Sequence, residues 1–407
     1  MSTSEEPQGA PAADQGDEGG SFLRDLTGVG ANWRSAILVP ALALLSAMIV
    51  GAIIIAVTDI DALRLLGSEP GTAFSQMWDS IWGAYKSLFV GSVGSLRALS
   101  ETLVQATPLI LAGLSVAIGF RAGLFNIGAQ GQLLVGGMFA LWVGFTLHLP
   151  VYLHLPLALL AGALGGAIYG AIPGLLRART GAHEVITTIM MNFIALRLVD
   201  YYLKSSWFQA EGRDDPVSKA IDTSAQMPRL LGFLDRTDVR VHLGIVVALL
   251  AAYGVYWLLF KTTLGYEFRA VGYNPRGAKY AGMSVTWLIV GVMAVAGALA
   301  GLAGTDRILG VLHRGTPGFA GTLGFDAITL ALLGRSHPWG VVASGLLFGA
   351  LVAGGQEMQV QTDISLDLIL VIQALVVVFI AAPALIRAIY RVKAAREAER
   401  LTTGWST

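Results

Sequence analysis

Residues 120–133 read FRAGLFNIGAQGQL, and on either side of them run long uncharged apolar segments. Broken backbone is tolerated at membrane depth only where protein or a water-filled path satisfies its N–H and C=O groups. Gly123, Gly128 and Gly131 permit a break or a close helix contact. Asn126, Gln130 and Gln132 add uncharged donors and acceptors. Polar side chains at this depth face a bundle interior or a cavity. The stretch therefore predicts an interrupted helix lining the inside of a membrane bundle.

Composition agrees. Of 407 residues, 55% are hydrophobic and 13% charged, where a soluble domain carries about 25% charged residues. A net charge of zero implies no general attraction to nucleic acid. Without cysteine there are no disulfides, thiolate metal sites or cysteine nucleophiles. The six histidines show no paired metal-ligand spacing, and no metal site is expected.

Candidate spans fall at Ser35–Val57 and at about 102–119, 123–147, 152–176, 184–204, 241–260, 284–304, 322–334 (broken), 338–353 and 365–386. The expectation is an all-α polytopic membrane protein of about ten helices, with short or broken ones near the centre. Basic residues concentrate at 175–183, 260–282 and 387–400, which puts these segments and both termini on the cytoplasmic side. The transmembrane permease region is expected over 35–386. Residues 58–100 and 205–240 are its main outer loops, and 305–321 and 354–364 are shorter ones. Residues 1–34 form a disordered acidic tail, and 387–407 a basic cytoplasmic one. Within 73–90, Trp78, Trp82, Tyr85 and Phe89 make a helical stripe that suits an interfacial amphipathic helix.

A second interruption, GTPGFAGTLGFDAITLALLG (315–334), carries Pro317 and then Asp326. Similar interruptions in two halves of a transporter point to a central pathway. In the fifth span Thr187, Thr188 and Asn192 sit within about two turns, with Thr188 and Asn192 on one face. Such groups either bond helix to helix or line a path. Candidate pathway residues are Asn126, Gln130, Gln132, Thr187, Thr188, Asn192 and Asp326. Small-residue runs at 161–174 and 294–304 are close-packing surfaces. No lysine follows a glycine, so a GxxxxGK[ST] phosphate loop is impossible, and any ATP must be hydrolysed by another polypeptide.

The stretches LSETLVQATPLILAGLSVAIGFRAGLFNIGAQGQ, HEVITTIMMNFIA, GYEFRAVGYNPRGAKYAGMSV and GFDAITLALLGRSHPWGVVASGLLFGAL lie between Leu96 and Leu385. Together they resemble permease subunits of ATP-binding-cassette importers for simple sugars and nucleosides, the nucleoside branch above all. At position 130 that family frequently has glutamate where this chain has Gln130. The resemblance implies a multi-pass protein of the bacterial plasma membrane, without enzymatic activity or cofactor of its own. ATP and Mg would sit on a cytoplasmic ATPase subunit. Further implied partners are a second, related permease and an extracellular binding protein or lipoprotein that delivers the small-molecule substrate. No nucleic acid is implied. A coupling helix is implied within the loop 261–283, through Tyr266, Arg269, Asn274, Pro275, Arg276, Lys279 and Gly282. From its chemistry alone, the same loop could be a solvated positive-inside segment. The alternatives are a branched-chain amino acid permease or, in another class, an ion-coupled secondary transporter built on Asp326.

Overall fold

A computed structural model describes residues 33–390 apart from 235, 363–365, 382–385, 387 and 388. Residues 1–32 and 391–407, which hold most of the two expected tails, lie outside the described residues. The described chain is helical: α1 (Trp33–Thr58), α2 (Ile60–Leu65), α3 (Pro70–Val93), α4 (Leu96–Arg121), α5 (Ala129–Thr146), α6 (Val151–Thr180) and α7 (Glu184–Leu203). After a mostly irregular segment come α8 (Gly244–Lys261), α9 (Thr263–Tyr273), α10 (Pro275–Tyr280) and α11 (Val285–Asp306), the last running into a π-turn at Arg307–Leu312. α12 (Leu323–Leu333), α13 (Pro338–Thr362) and α14 (Leu366–Ala381) complete it. Among the described residues β-structure is limited to two isolated bridges, Gln209–Ser218 and Arg229–His242.

Among the described residues seven helices are long and apolar enough to cross a membrane by length and composition, where hydropathy leads one to expect about ten spans. Among the described residues, the expected spans outside that set are those of α5, α12 and α14. Two expected loops prove helical. Residues 354–362 continue α13, and 305–312 continue α11 through the π-turn. In both, short or small residues let the helix keep packing past the point where hydropathy falls. Gly354 lies against the Leu88 backbone of α3, and Gly304 against the Leu133 carbonyl of α5.

Two compact units divide the chain. In the smaller, Met1–Ile49 with Val378–Thr407, Ala43 and Ile386 are buried together and the Ser46 hydroxyl lies 3.0 Å from that of Tyr390. The larger, Val50–Val377, is built around α4, which is buried along most of its length. There α11 runs along α6, and the two small-residue runs face each other. Gly166 lies on Gly297 and Gly301, and Gly162 on Gly301 and Thr305. Lipid gives helices no hydrophobic drive to associate, so such backbone approach is what lets dispersion hold them. α3 packs along α13 and leaves Trp78, Trp82 and Phe89 of the expected stripe exposed, together with Phe74, and Tyr85 half-buried.

Gly166→Val would put methyl groups where the Gly301 Cα stands 2.8 Å from a Cβ. Overpacking of this kind costs about 1–3 kcal/mol. The variant is expected to melt earlier in detergent and to give less monodisperse protein, and an unchanged melting curve would refute this packing role.

Candidate functional site

The stretch 122–128 is non-helical, and α5 starts only at Ala129. The expected span 123–147 thus loses its first turns. Gly123 has φ +68° and lies 2.9 Å, measured from an added Cβ, from the Gly272 backbone. A side chain there would be strained by conformation and by space. Further on, Asn126 folds back on the helix it precedes. Its Nδ2 donates to Gln132 Oε1 (2.9 Å), Gln132 Nε2 donates to Asn126 Oδ1 (3.1 Å), and the Gly128 N–H donates to the same oxygen (3.1 Å).

The second interruption ends beside the first. Gln130, one residue into α5, accepts from the Gly324 N–H (2.7 Å) and donates to the Gly321 carbonyl (2.7 Å). One side-chain amide therefore joins the N-terminal turns of two short helices, α5 and α12. A third element closes the group. Asn192 on α7 accepts from the Gly131 N–H (2.8 Å) and donates to the Ile127 carbonyl (3.0 Å). Thr188, one turn earlier, bonds the Glu184 carbonyl within its own helix and touches Gly128.

Asn126, Gln130, Gln132, Thr188 and Asn192 are thus brought together and buried. Each has a protein partner, and Asn192 is seen bonding helix to helix. Thr187 stands apart, half-buried on α7 and bonded to the carbonyls of His183 and Glu184. Asp326 lies on α12 and accepts from the Thr322 hydroxyl (2.8 Å). Glu184, at the start of α7, is buried and ion-paired to Arg177, and it also accepts from the Phe125 N–H (3.5 Å). Its burial follows from α6 returning sharply at Gly181, φ +70°.

The sequence offers Asp326 as the acid on which ion coupling would be built, and the structure encloses another. Asp306 is fully buried at the end of α11, in a place assigned to a loop. Its signal was available: the apolar run 285–304 continues with ILGVL after Asp306 and Arg307.

At the 261–283 end, α9 and α10 form a pair of short helices. Phe268, Val271 and Ala278 are buried beneath them. The Thr262 hydroxyl caps α9 by accepting from the Gly265 N–H (3.0 Å), and Asn274 Oδ1 caps α10 by accepting from the Gly277 N–H (2.9 Å). Pro275 occupies the first helical turn, where its missing N–H is harmless. Tyr266, Asn274, Pro275, Arg276, Lys279 and Gly282 are exposed. Arg269 instead lies half-buried over the Phe260 ring at 5.3 Å, with Arg121 over the same ring at 5.7 Å. Arg121 also donates to the Ser336 carbonyl (2.9 Å) in a turn where Arg335 and Ser336 have positive φ. Tyr273 and Tyr280, each 94% exposed, project beside the caps and went unremarked in the sequence. Tyrosine at every seventh residue of a basic loop was the available clue.

Among the described residues no three His, Asp or Glu side chains gather as a metal site. The family described as branched-chain amino acid transport system / permease component matches residues 98–381. The chain belongs to this permease family. It is 39% identical over 354 residues to the guanosine ABC transporter permease protein NupP of Bacillus subtilis, covering 87% of this chain and 95% of that one. Against the glucose ABC transporter permease protein TsgB13 of Haloferax volcanii identity is 36% over 346 residues, 84% and 86% of the two chains. With the nucleoside ABC transporter permease protein NupB of Lactococcus lactis it is 34% over 350 residues, 85% and 90%. No solved structure matches the chain. As a member of this family the chain is a membrane permease subunit of an ABC transporter, and hydrolysis of ATP belongs to a separate subunit.

Asn192→Leu would leave the Gly131 N–H and the Ile127 carbonyl without partners. Two buried groups left unpaired cost about 2–4 kcal/mol. The melting temperature in detergent is expected to fall, less so for Asn192→Asp, which keeps the acceptor. Full stability of Asn192→Leu with impaired transport would show instead that Asn192 serves the solute.

Proposed function

We propose that this chain is the translocating permease of an ATP-driven importer for nucleosides. The observation that carries this reading is its likeness, over nearly the whole length of both, to the guanosine permease. The chemistry of the centre supports it. The groups at the junction of α5, α7 and α12 are amides and hydroxyls, and the carboxylate of Glu184 beside Phe125 is paired with Arg177. A neutral, hydroxyl-rich solute passes such a lining without having to exchange its hydration for a fixed charge. The N-terminal turns of α5 and α12 add N–H dipoles at the same depth.

In this reading Asn126, Gln130, Gln132, Thr188 and Asn192 frame the route, holding two interrupted helices in register. Thr187 and Asp326 are the members of the set able to meet a solute directly. The basic 261–283 end faces the cytoplasm. There the exposed surface of α9 and α10, with Tyr266, Asn274, Pro275, Arg276, Lys279 and Gly282, docks on the ATPase subunit. Arg269 transmits that contact inward through Phe260 and Arg121. A second permease subunit completes the pathway, and an extracellular binding protein delivers the solute. The complex resides in a bacterial plasma membrane, with both termini of this chain on the cytoplasmic side.

Purified with its partner subunits and reconstituted in liposomes, the chain is expected to support ATP-dependent uptake of guanosine or adenosine. Uptake of leucine but not of nucleosides would overturn the reading. The double variant Arg276→Glu, Lys279→Glu reverses two exposed charges. It is expected to fold normally yet recover at least fivefold less ATPase in a mild-detergent pull-down. Undiminished recovery with normal uptake would remove these residues from the docking surface.

A further inference from the structure

The segment 221–241, most of it within an expected outer loop, is pinned to the helices through its backbone. The Ile221 N–H donates to the His313 carbonyl (3.1 Å), that of Asp222 to Gly144 (2.8 Å) and that of Met227 to Leu309 (2.9 Å). The N–H groups of Arg240 and Val241 both donate to Ser100 Oγ on α4 (2.8 Å each). So held, the segment lies over the Leu96 end of α4, opposite the Arg121 end that meets α9.

Between this segment and the helices is a cavity of about 460 Å3. Val104 of α4, Val151 of α6, Met227 and Val311 give it apolar walls, and Gln226, Arg229, Arg240 and His313 supply polar groups. Small-molecule pockets have this make-up, mostly apolar walls with a few polar groups, and volumes of about 300–1000 Å3.

Most of those polar groups are unused. Among the described residues nothing bonds the Gln226 amide or the His313 imidazole, whose Nδ1 is buried. Arg229 makes one long bond, to the Thr237 carbonyl (3.4 Å), and no ion pair among those residues. Arg240 differs, since Glu101 at 2.6 Å balances its charge. Burial and the neighbouring Arg229 guanidinium push the His313 imidazole below its ordinary pKa, so it is neutral, with one N–H donor and one acceptor nitrogen. The cavity therefore offers a guanidinium fork, a free amide and a neutral imidazole together with apolar walls.

A ribose ring carries hydroxyls all round and gains little from valine and methionine. A nucleobase is flat and apolar on its faces, and its donors and acceptors are confined to its edge. Guanidinium forks pair with the O6/N7 edge of guanine, and glutamine amides with the N6/N7 edge of adenine.

We propose that this cavity is a base-binding subsite of the permease, in which the apolar walls take the faces of a nucleobase and Gln226, Arg229 and His313 read its edge. The assignment rests on the nucleoside reading above and deepens it, placing part of the selectivity in the permease chain itself. In that reading the 261–283 end is cytoplasmic, so the cavity opens on the side from which solute is delivered. No rearrangement of the chain is needed, because Thr223, Arg229 and Arg240 at the cavity are exposed to solvent as they stand.

The chain has no cysteine, so single cysteines report on the cavity directly. Thr223→Cys and Val311→Cys each place one in its lining, and Thr72→Cys, exposed on α3, is the control. The transporter is held in nanodiscs with its second permease and ATPase subunits but no binding protein, so that docking of that partner cannot pass for solute. Labelling of this chain by a small thiol reagent is timed by mass spectrometry, alone and with guanosine, ribose or inorganic phosphate at equal concentration. Guanosine is expected to slow both lining cysteines by about threefold or more, the effect of two-thirds occupancy. Ribose and phosphate are expected to slow neither, and the control is expected to be unaffected throughout. On the Val311→Cys background, Gln226→Ala with Arg229→Ala is expected to remove the protection. No slowing by guanosine, equal slowing by ribose, or protection that survives the double variant would overturn the subsite. Equal slowing by phosphate would also overturn it, in favour of an anion site. None of these outcomes touches the transport reading, which stands or falls on guanosine uptake by the liposomes.

Discussion

A peptide group in hydrocarbon has no water to bond, and the centre of this protein is organised around meeting that constraint with side-chain amides. Gln130 accepts from the first turn of α12 and donates to the backbone before it. Asn192 does the same for the start of α5 and the irregular segment before it. Asn126 and Gln132 close on each other and keep the turn compact. With these bonds in place two helices can begin inside the protein.

Glycine makes that geometry reachable. The runs 161–174 and 294–304 bring α6 and α11 into backbone contact, and the same surface carries Gly136 of α5 against Gly301. Because α11 is held so closely, its last turn and the π-turn after it are carried inside the protein. This is how Asp306 comes to be buried with His242. The two polar centres differ in kind: around Gln130 the groups are mutually satisfied, and around Asp306 they are not. The first is suited to holding a shape.

At the other end of α4, Arg121 ties three elements together through the Phe260 ring, Arg269 and the Ser336 carbonyl. Burial and the neighbouring Arg121 guanidinium push the His337 imidazole below its ordinary pKa, so the ring stacked on Phe260 stays neutral. Two guanidiniums over one aromatic ring repel each other, and the ring's negative π-face lowers that cost. Such an arrangement passes a displacement of α9 to α4 more readily than a solvated contact would.

By itself the sequence determined the helical class, most span positions, the two interruptions and the packing runs, since these depend on local composition and short spacings. It also singled out the amides at 126, 130, 132 and 192 as interior groups. Tertiary structure alone decided which amide bonds which backbone, because those partners are separated by 61 to 194 residues. It decided, too, that Asn192 joins helices, that α13 runs on to Thr362, and that Asp306 is inside. Hydropathy averages along one chain, and a charged residue lowers that average wherever it sits. Whether the residue is in solvent or enclosed depends on the helices that pack around it.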